Sequence, residues 1–194
     1  MQEILLFLIS SLALTLMPGP DILFVINQSL DKRKNGMITS LGLCTGLIFH
    51  TMFLAFGLSA LIESNKSLIV FLKYFGTIYL FYLAYLEIKS ENKIKTSLDS
   101  KLFLRGLYMN LINPKVLIFF IAYFPNFLFS NTIKISNQFL LLGFVFISQA
   151  LLVFISVSLI SNKLIKYIVV DANNISLKYF KSLIFIIIGL LILL

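Results

Sequence analysis

Apolar residues in this chain come in six long blocks, at roughly 4–26, 37–62, 68–88, 102–129, 138–161 and 177–194, with short polar stretches between them. At about 1.5 Å per residue, each block is long enough to cross a hydrocarbon core of about 30 Å as a helix. The last is the shortest, and its Lys178 and Lys181 lengthen it if they snorkel to the interface. The pattern predicts an all-α integral membrane protein with six transmembrane helices. Two blocks are interrupted. The first contains Met17-Pro18-Gly19-Pro20-Asp21 and the fourth Asn113-Pro114-Lys115. Proline lacks the amide hydrogen and clashes with the carbonyl four residues back, so each of these spans is expected to be two half-helices with freed backbone groups between them.

Composition agrees with this compartment. The 194 residues are 59% hydrophobic and only 12% charged, with a mean hydropathy of +1.00. That leaves too little polar surface to cover a soluble globule. The first block has Glu3 as its only early charge and no basic start or small-residue cleavage pattern, so it is expected to be a retained span and not a signal peptide. The one cysteine, Cys44, excludes a disulfide framework within the chain and any thiolate cluster.

A net charge of +8 raises the question of nucleic acid, but the charges are placed as topology markers. Lys32, Arg33 and Lys34 follow the first block. Lys89, Lys93, Lys95, Lys101 and Arg105 surround the third connection, and Lys163, Lys166, Lys178 and Lys181 the fifth. The opposite side has Lys66, Lys73 and Lys134, while Lys115 lies inside a block. The positive-inside rule then puts the odd-numbered loops in the cytoplasm and both termini outside. No nucleic-acid partner is implied.

The polar stretch at about 89–101 divides a single transport domain, 1–194, into two three-span blocks, about 1–88 and about 102–194. A duplicated unit with an odd number of spans inserts upside down the second time, the origin of inverted repeats in secondary transporters. The proline breaks fall in the first and fourth spans, the corresponding positions of the two repeats. Asp21 precedes Asp31 by about ten residues and Lys115 follows Arg105 by about ten, so both lie about 15 Å in, near the bilayer midplane.

Each break suggests its own chemistry. Asn113 followed by Pro114 fits a helix N-cap and a proline at the first helical position, so a helix restarts there with free N–H groups and a partial positive charge suited to a carboxylate. Lys115 adds a full charge. Around Pro18, Gly19 and Pro20 the freed carbonyls and Asp21 suit an ammonium group or a proton. Together the two breaks match a zwitterion. The competing reading makes Asp21 and Lys115 a buried pair that holds the halves together. Asn110, just before the second break, and Tyr79, on the Gly76 face of the third block, are candidate cavity residues, with Tyr108 and Gln149 as further polar positions. In the second block Thr39, Gly42, Gly46, His50, Phe53 and Gly57 share one face at helical spacing. Gly42 and Gly46 allow another helix close approach. His50 is either a neutral donor to a carbonyl across that contact or a proton-coupling residue. A lone histidine makes a metal site improbable, and no cofactor is implied.

Met17-Pro18-Gly19-Pro20-Asp21, then Gly42, Gly46, His50 and Gly57, then Gly76-Thr77-Ile78-Tyr79-Leu80, then Arg105-Gly106 through Asn110-Leu111-Ile112-Asn113-Pro114-Lys115 and Pro125, resemble the LysE/RhtB family of amino-acid exporters. The resemblance covers nearly the whole chain, with Ser182 where the family often has glycine. It implies a six-span permease of the bacterial cytoplasmic membrane that exports an amino acid or close derivative by proton antiport. The implied partners are that substrate, protons and lipid, with self-association left open. Two other classes compete with this one. A channel needs a continuous polar lining or a ring of like charges, and an intramembrane enzyme needs a nucleophile with a base, for which only Ser10 or Ser11 with His50 offers itself.

Overall fold

The computed structural model describes residues 2–17, 19–89, 101–168 and 175–193, with backbone only at 2, 114, 115, 162–168 and 177. Pro18 and the central linker residues 90–100 lie outside the described residues. The described residues are helical almost throughout: α1 (Gln2–Leu16), α2 (Pro20–Asp31), α3 (Arg33–Met52), a π-helical stretch (Phe53–Leu58), α4 (Ser59–Ser64), α5 (Ser67–Lys89), α6 (Leu102–Ile112), α7 (Pro114–Tyr123) with a 3-10 extension (Phe124–Phe127), α8 (Ile135–Ile168) and α9 (Ile175–Leu193). Every apolar block of the sequence becomes a helix or helix pair. Three are by themselves long and apolar enough to cross a membrane, and the two bent pairs raise this to five. The last block forms α9, 19 residues long. The exposed apolar side chains, such as Phe56, Ile78, Phe144 and Leu152, face outward in the manner of a lipid-embedded protein.

The bends occur where proline removes backbone donors. On either side of each break the helices meet at 52°. Pro20 opens α2 after Gly19, whose carbonyl accepts from Leu23 N–H at 3.0 Å. Pro114 opens α7 after Asn113, whose carbonyl accepts from the N–H groups of Val116 and Leu117 at 3.1 and 3.2 Å. Both downstream helices therefore start at a break.

Small residues set the tightest contact. A Cβ on Gly42 would collide with the backbone carbonyl of Phe103, and one on Gly106 with the backbone carbonyl of Thr39, so α3 and α6 touch backbone to backbone. The expected glycine face of the second span is real as far as His50. Beyond it Phe53 is exposed, and a Cβ on Gly57 would meet only Phe53 of its own helix. For Gly57 the π stretch accounts for this, because its i→i+5 bonding adds a residue to the turn and rotates the residues after Phe53 out of the face.

The last helix packs on α5, where Gly189 accepts from Thr77 Oγ1 at 3.4 Å. Lys181 does not snorkel as expected. It is 2% exposed and its Nζ lies 2.7 Å from Glu87 Oε1 of α5, because a carboxylate within reach satisfies the ammonium group without a route to water.

Candidate functional site

A cavity of about 100 Å³ lies where the two breaks meet. It has room for several waters at about 10–15 Å³ each, or for a small solute. Leu14, Thr15, Gly19, Pro20 and Asp21 approach from the first break, and Asn110, Asn113 and Val116 from the second. Residues about ninety positions apart in the chain thus share one wall. Asp21 is the one charged side chain among the described residues of the lining. The rest of the wall is apolar, formed by Leu47, Leu83, Phe119, Phe146, Phe154 and Phe185.

The backbone at the breaks is incompletely used within its own helices. Proline at 18 and 20 denies the carbonyls of Leu14 and Leu16 the amide four residues on, and Pro114 does the same to Asn110. The start of α2 brings N–H groups and the positive end of its dipole to the first break, where the Asp21 carboxylate in the first turn is favoured. The start of α7 does the same at the second, with Lys115 as its second residue. The Asn110 side chain is 1% exposed, and neither its Oδ1 nor its Nδ2 has a hydrogen-bond partner. Leaving buried donors and acceptors unmade costs about 1–3 kcal/mol each, so this amide is poised for a polar guest.

Of the residues expected at the site, the structure brings Gly19, Pro20, Asp21, Asn110 and Asn113 to the cavity. Pro114 and Lys115 lie in the first turn of α7, described by their backbone alone, and Pro18 is outside the described residues altogether. Tyr79 is half-buried beside Tyr82, with ring centroids 6.3 Å apart, and is not part of the lining. His50 sits behind the wall, with its Nε2 3.3 Å from the Asn110 carbonyl. Tyr108 is exposed. Gln149 joins α8 to α1, accepting from Ser11 Oγ at 2.7 Å and donating to the Leu8 carbonyl at 3.1 Å. Ser10 bonds to Tyr123 and to the carbonyl of Leu6, so neither serine forms a dyad with His50.

Sequence reasoning missed the aromatic layer over the cavity. Phe119 stacks on Tyr123 at 4.4 Å and Phe120 on Phe124 at 4.3 Å, while Tyr123 meets Phe127 at a tilt with centroids 4.5 Å apart and Phe7 of α1 is inserted among them. Beyond this layer a wider basin of about 810 Å³ is bordered by Lys66, Lys73, Phe127 and Gln138. The signal was present in the i, i+4 spacing of Phe119, Phe120, Tyr123, Phe124 and Phe127, which in an apolar span is also the spacing of ordinary core.

Comparison with known proteins gives a consistent result. The family model for LysE type translocators matches residues 12–194. The homoserine/homoserine lactone efflux protein of Salmonella typhimurium is 30% identical over 144 residues, covering 71% of this chain and 69% of the relative. Its counterpart in Salmonella typhi is 32% identical over 146 residues, with the same coverage. The leucine efflux protein of Salmonella choleraesuis is 30% identical over 131 residues, covering 63% of this chain and 61% of that protein. No solved structure matches.

Proposed function

This chain belongs to the LysE type translocators, a family of membrane proteins, and from that premise we propose that it exports a small amino acid or close derivative across the cytoplasmic membrane in exchange for protons. The observation that carries the reading is the cavity between two proline-broken helices, with Asp21 from one break and Asn113 and the first turn of α7 from the other. The substrate carboxylate is assigned to the α7 N-terminus and Lys115, where dipole and charge add. Its ammonium group is assigned to Asp21 and the freed carbonyls of the first break. A proton arriving from outside neutralises Asp21 and releases the ammonium, so one carboxylate serves substrate and proton in turn. The apolar remainder of the wall favours an uncharged side chain, and the relatives named above are efflux proteins for homoserine, its lactone and leucine.

The equal bends at corresponding places support two inverted three-span repeats, with α9 as the sixth span. The aromatic layer is assigned to the outer gate, since the basin beyond it lies at the end carrying Lys66 and Lys134, the side poorer in basic residues. Orientation is tested by cysteine labelling in a Cys44-replaced background. Ser97→Cys should react only from inside, and reaction from outside intact cells would reverse the topology.

The function itself is tested in proteoliposomes preloaded with homoserine or leucine. Saturable loss of the unaltered compound, driven by an imposed proton gradient, is expected. Chemical conversion of the compound would indicate an enzyme, and non-saturable leak a channel.

A further inference from the structure

Pro114 removes the amide hydrogen that an unbroken helix would direct at the carbonyl of Asn110. The carbonyl is not orphaned. Asn113 N–H donates to it at 3.2 Å, and His50 Nε2, from α3, stands 3.3 Å away. A carbonyl only accepts, so Nε2 carries the hydrogen. Both residues are buried, Asn110 at 1% and His50 at 5% exposure, in a span where no bulk water can take over the bond.

We propose that His50 is a positioning residue: its imidazole N–H replaces, across the α3–α6 contact, the helix bond that Pro114 removes, and so sets the angle at which α7 points its N-terminus into the cavity. Of the two roles the sequence left open for it, this assignment takes the neutral donor to a carbonyl across the contact over proton coupling. The surroundings fit a fixed ring. Phe120 of α7 packs on the imidazole with centroids 5.5 Å apart, so His50 touches both sides of the break. One turn earlier Gly46 gives Asn110 its space, since a Cβ there would lie 2.5 Å from Asn110 Oδ1 and 2.8 Å from its Cβ. The cavity lining includes Asn110, Phe120 and Asp21 but not His50, whose imidazole meets the Asn110 carbonyl from behind.

The experiment uses the full chain and has two arms. The transport arm rests on the exporter reading; the stability arm does not. Glutamine can put its Nε2 donor where the imidazole Nε2 stands, and it does not titrate, whereas asparagine is too short. His50→Gln should therefore retain leucine or homoserine export within about 2-fold, with an unchanged response to an imposed pH gradient, while His50→Asn and His50→Leu fall about 10-fold or more, as expected where a positioned group is displaced. In the stability arm, His50→Leu should lower the melting temperature of the detergent-solubilised protein by about 3 °C, the scale of one buried hydrogen bond. In a Pro114→Ala background the loss should shrink, because the substituted residue's own N–H serves the Asn110 carbonyl. The proposal is overturned if His50→Gln is as inactive as His50→Leu with an unchanged melting temperature, or if His50→Leu costs the same in both backgrounds. If no compound is exported by any form, the exporter reading has failed and the stability arm alone decides the role of His50.

Discussion

The two breaks share their geometry and differ in their charge. Each bends its span by 52°, each restarts a helix with proline at the first position, and each starts that helix at the same cavity. At the second helical position one has Asp21 and the other Lys115. An acid in the first turn of a helix is favoured, and a base disfavoured, by about 0.3–1 kcal/mol, reaching about 2 kcal/mol where partly buried. The first break therefore sets an acid against its own dipole, while the second adds a base to its dipole, which is why the proposed function gives the substrate carboxylate to the second. They are also anchored differently. Upstream of the second, α6 lies backbone to backbone on α3, whereas α1 is held to α8 by the Gln149 bonds to Ser11 and Leu8. One break adjoins a backbone-to-backbone contact. The other adjoins a helix held to α8 by side-chain hydrogen bonds.

The comparison is broken most directly by charge removal. Asp21→Asn and Lys115→Ala should each reduce proteoliposome export to background with normal membrane insertion, since on the proposed reading each removes a substrate-binding charge, and a charge at the centre of a span costs about 2.5–3.5 kcal/mol. The Asp21→Ala/Lys115→Ala double variant should stay inactive, and recovery of export would make the two a structural pair. Glu87 and Lys181 supply the contrast. Lys181→Met alone should destabilise the protein by about 3 kcal/mol in thermal unfolding, and adding Glu87→Gln should restore most of that, the signature of a pair that serves packing.

The charge of the second break is sharpened by the substrate. Homoserine lactone keeps the ammonium group of homoserine and lacks the carboxylate, so it should compete for export far more weakly than homoserine. Equal competition, or equal export of amidated and free leucine, removes the carboxylate from Pro114 and Lys115. The anchoring difference predicts the smallest effects. Gly106→Ala should cost about 2 kcal/mol because its Cβ meets backbone that cannot yield. Gln149→Ala should cost only about 1 kcal/mol, the scale of ordinary hydrogen bonds. A reversed order would mean that α1, and not α6, is the fixed element.

The spans, the two breaks and the close approach at Gly42 were legible from sequence because each arises from one residue's local chemistry: apolar length, a missing amide hydrogen, a missing Cβ. Asp21 and Asn113 were legible as residues of the breaks for the same reason, and the structure brings both to the cavity. Tyr79 was not, because a tyrosine on a helix face is equally a packing or cavity residue until its neighbours are known. Lys178 and Lys181 looked alike as interfacial cations. Only the position of Glu87 on α5 separates them.

The sequence by itself determined that this chain lies in the membrane and where its helices break, because hydropathy and proline act over a few neighbouring residues. The tertiary structure alone decided that the breaks share one cavity, that an aromatic layer covers it, and that His50 faces the carbonyl Pro114 left behind. Those facts depend on which helices are neighbours and how they are rotated. Local pattern does not contain that information, since side chains at the same helical spacing serve equally as core, gate or ligand until a second helix is placed against them.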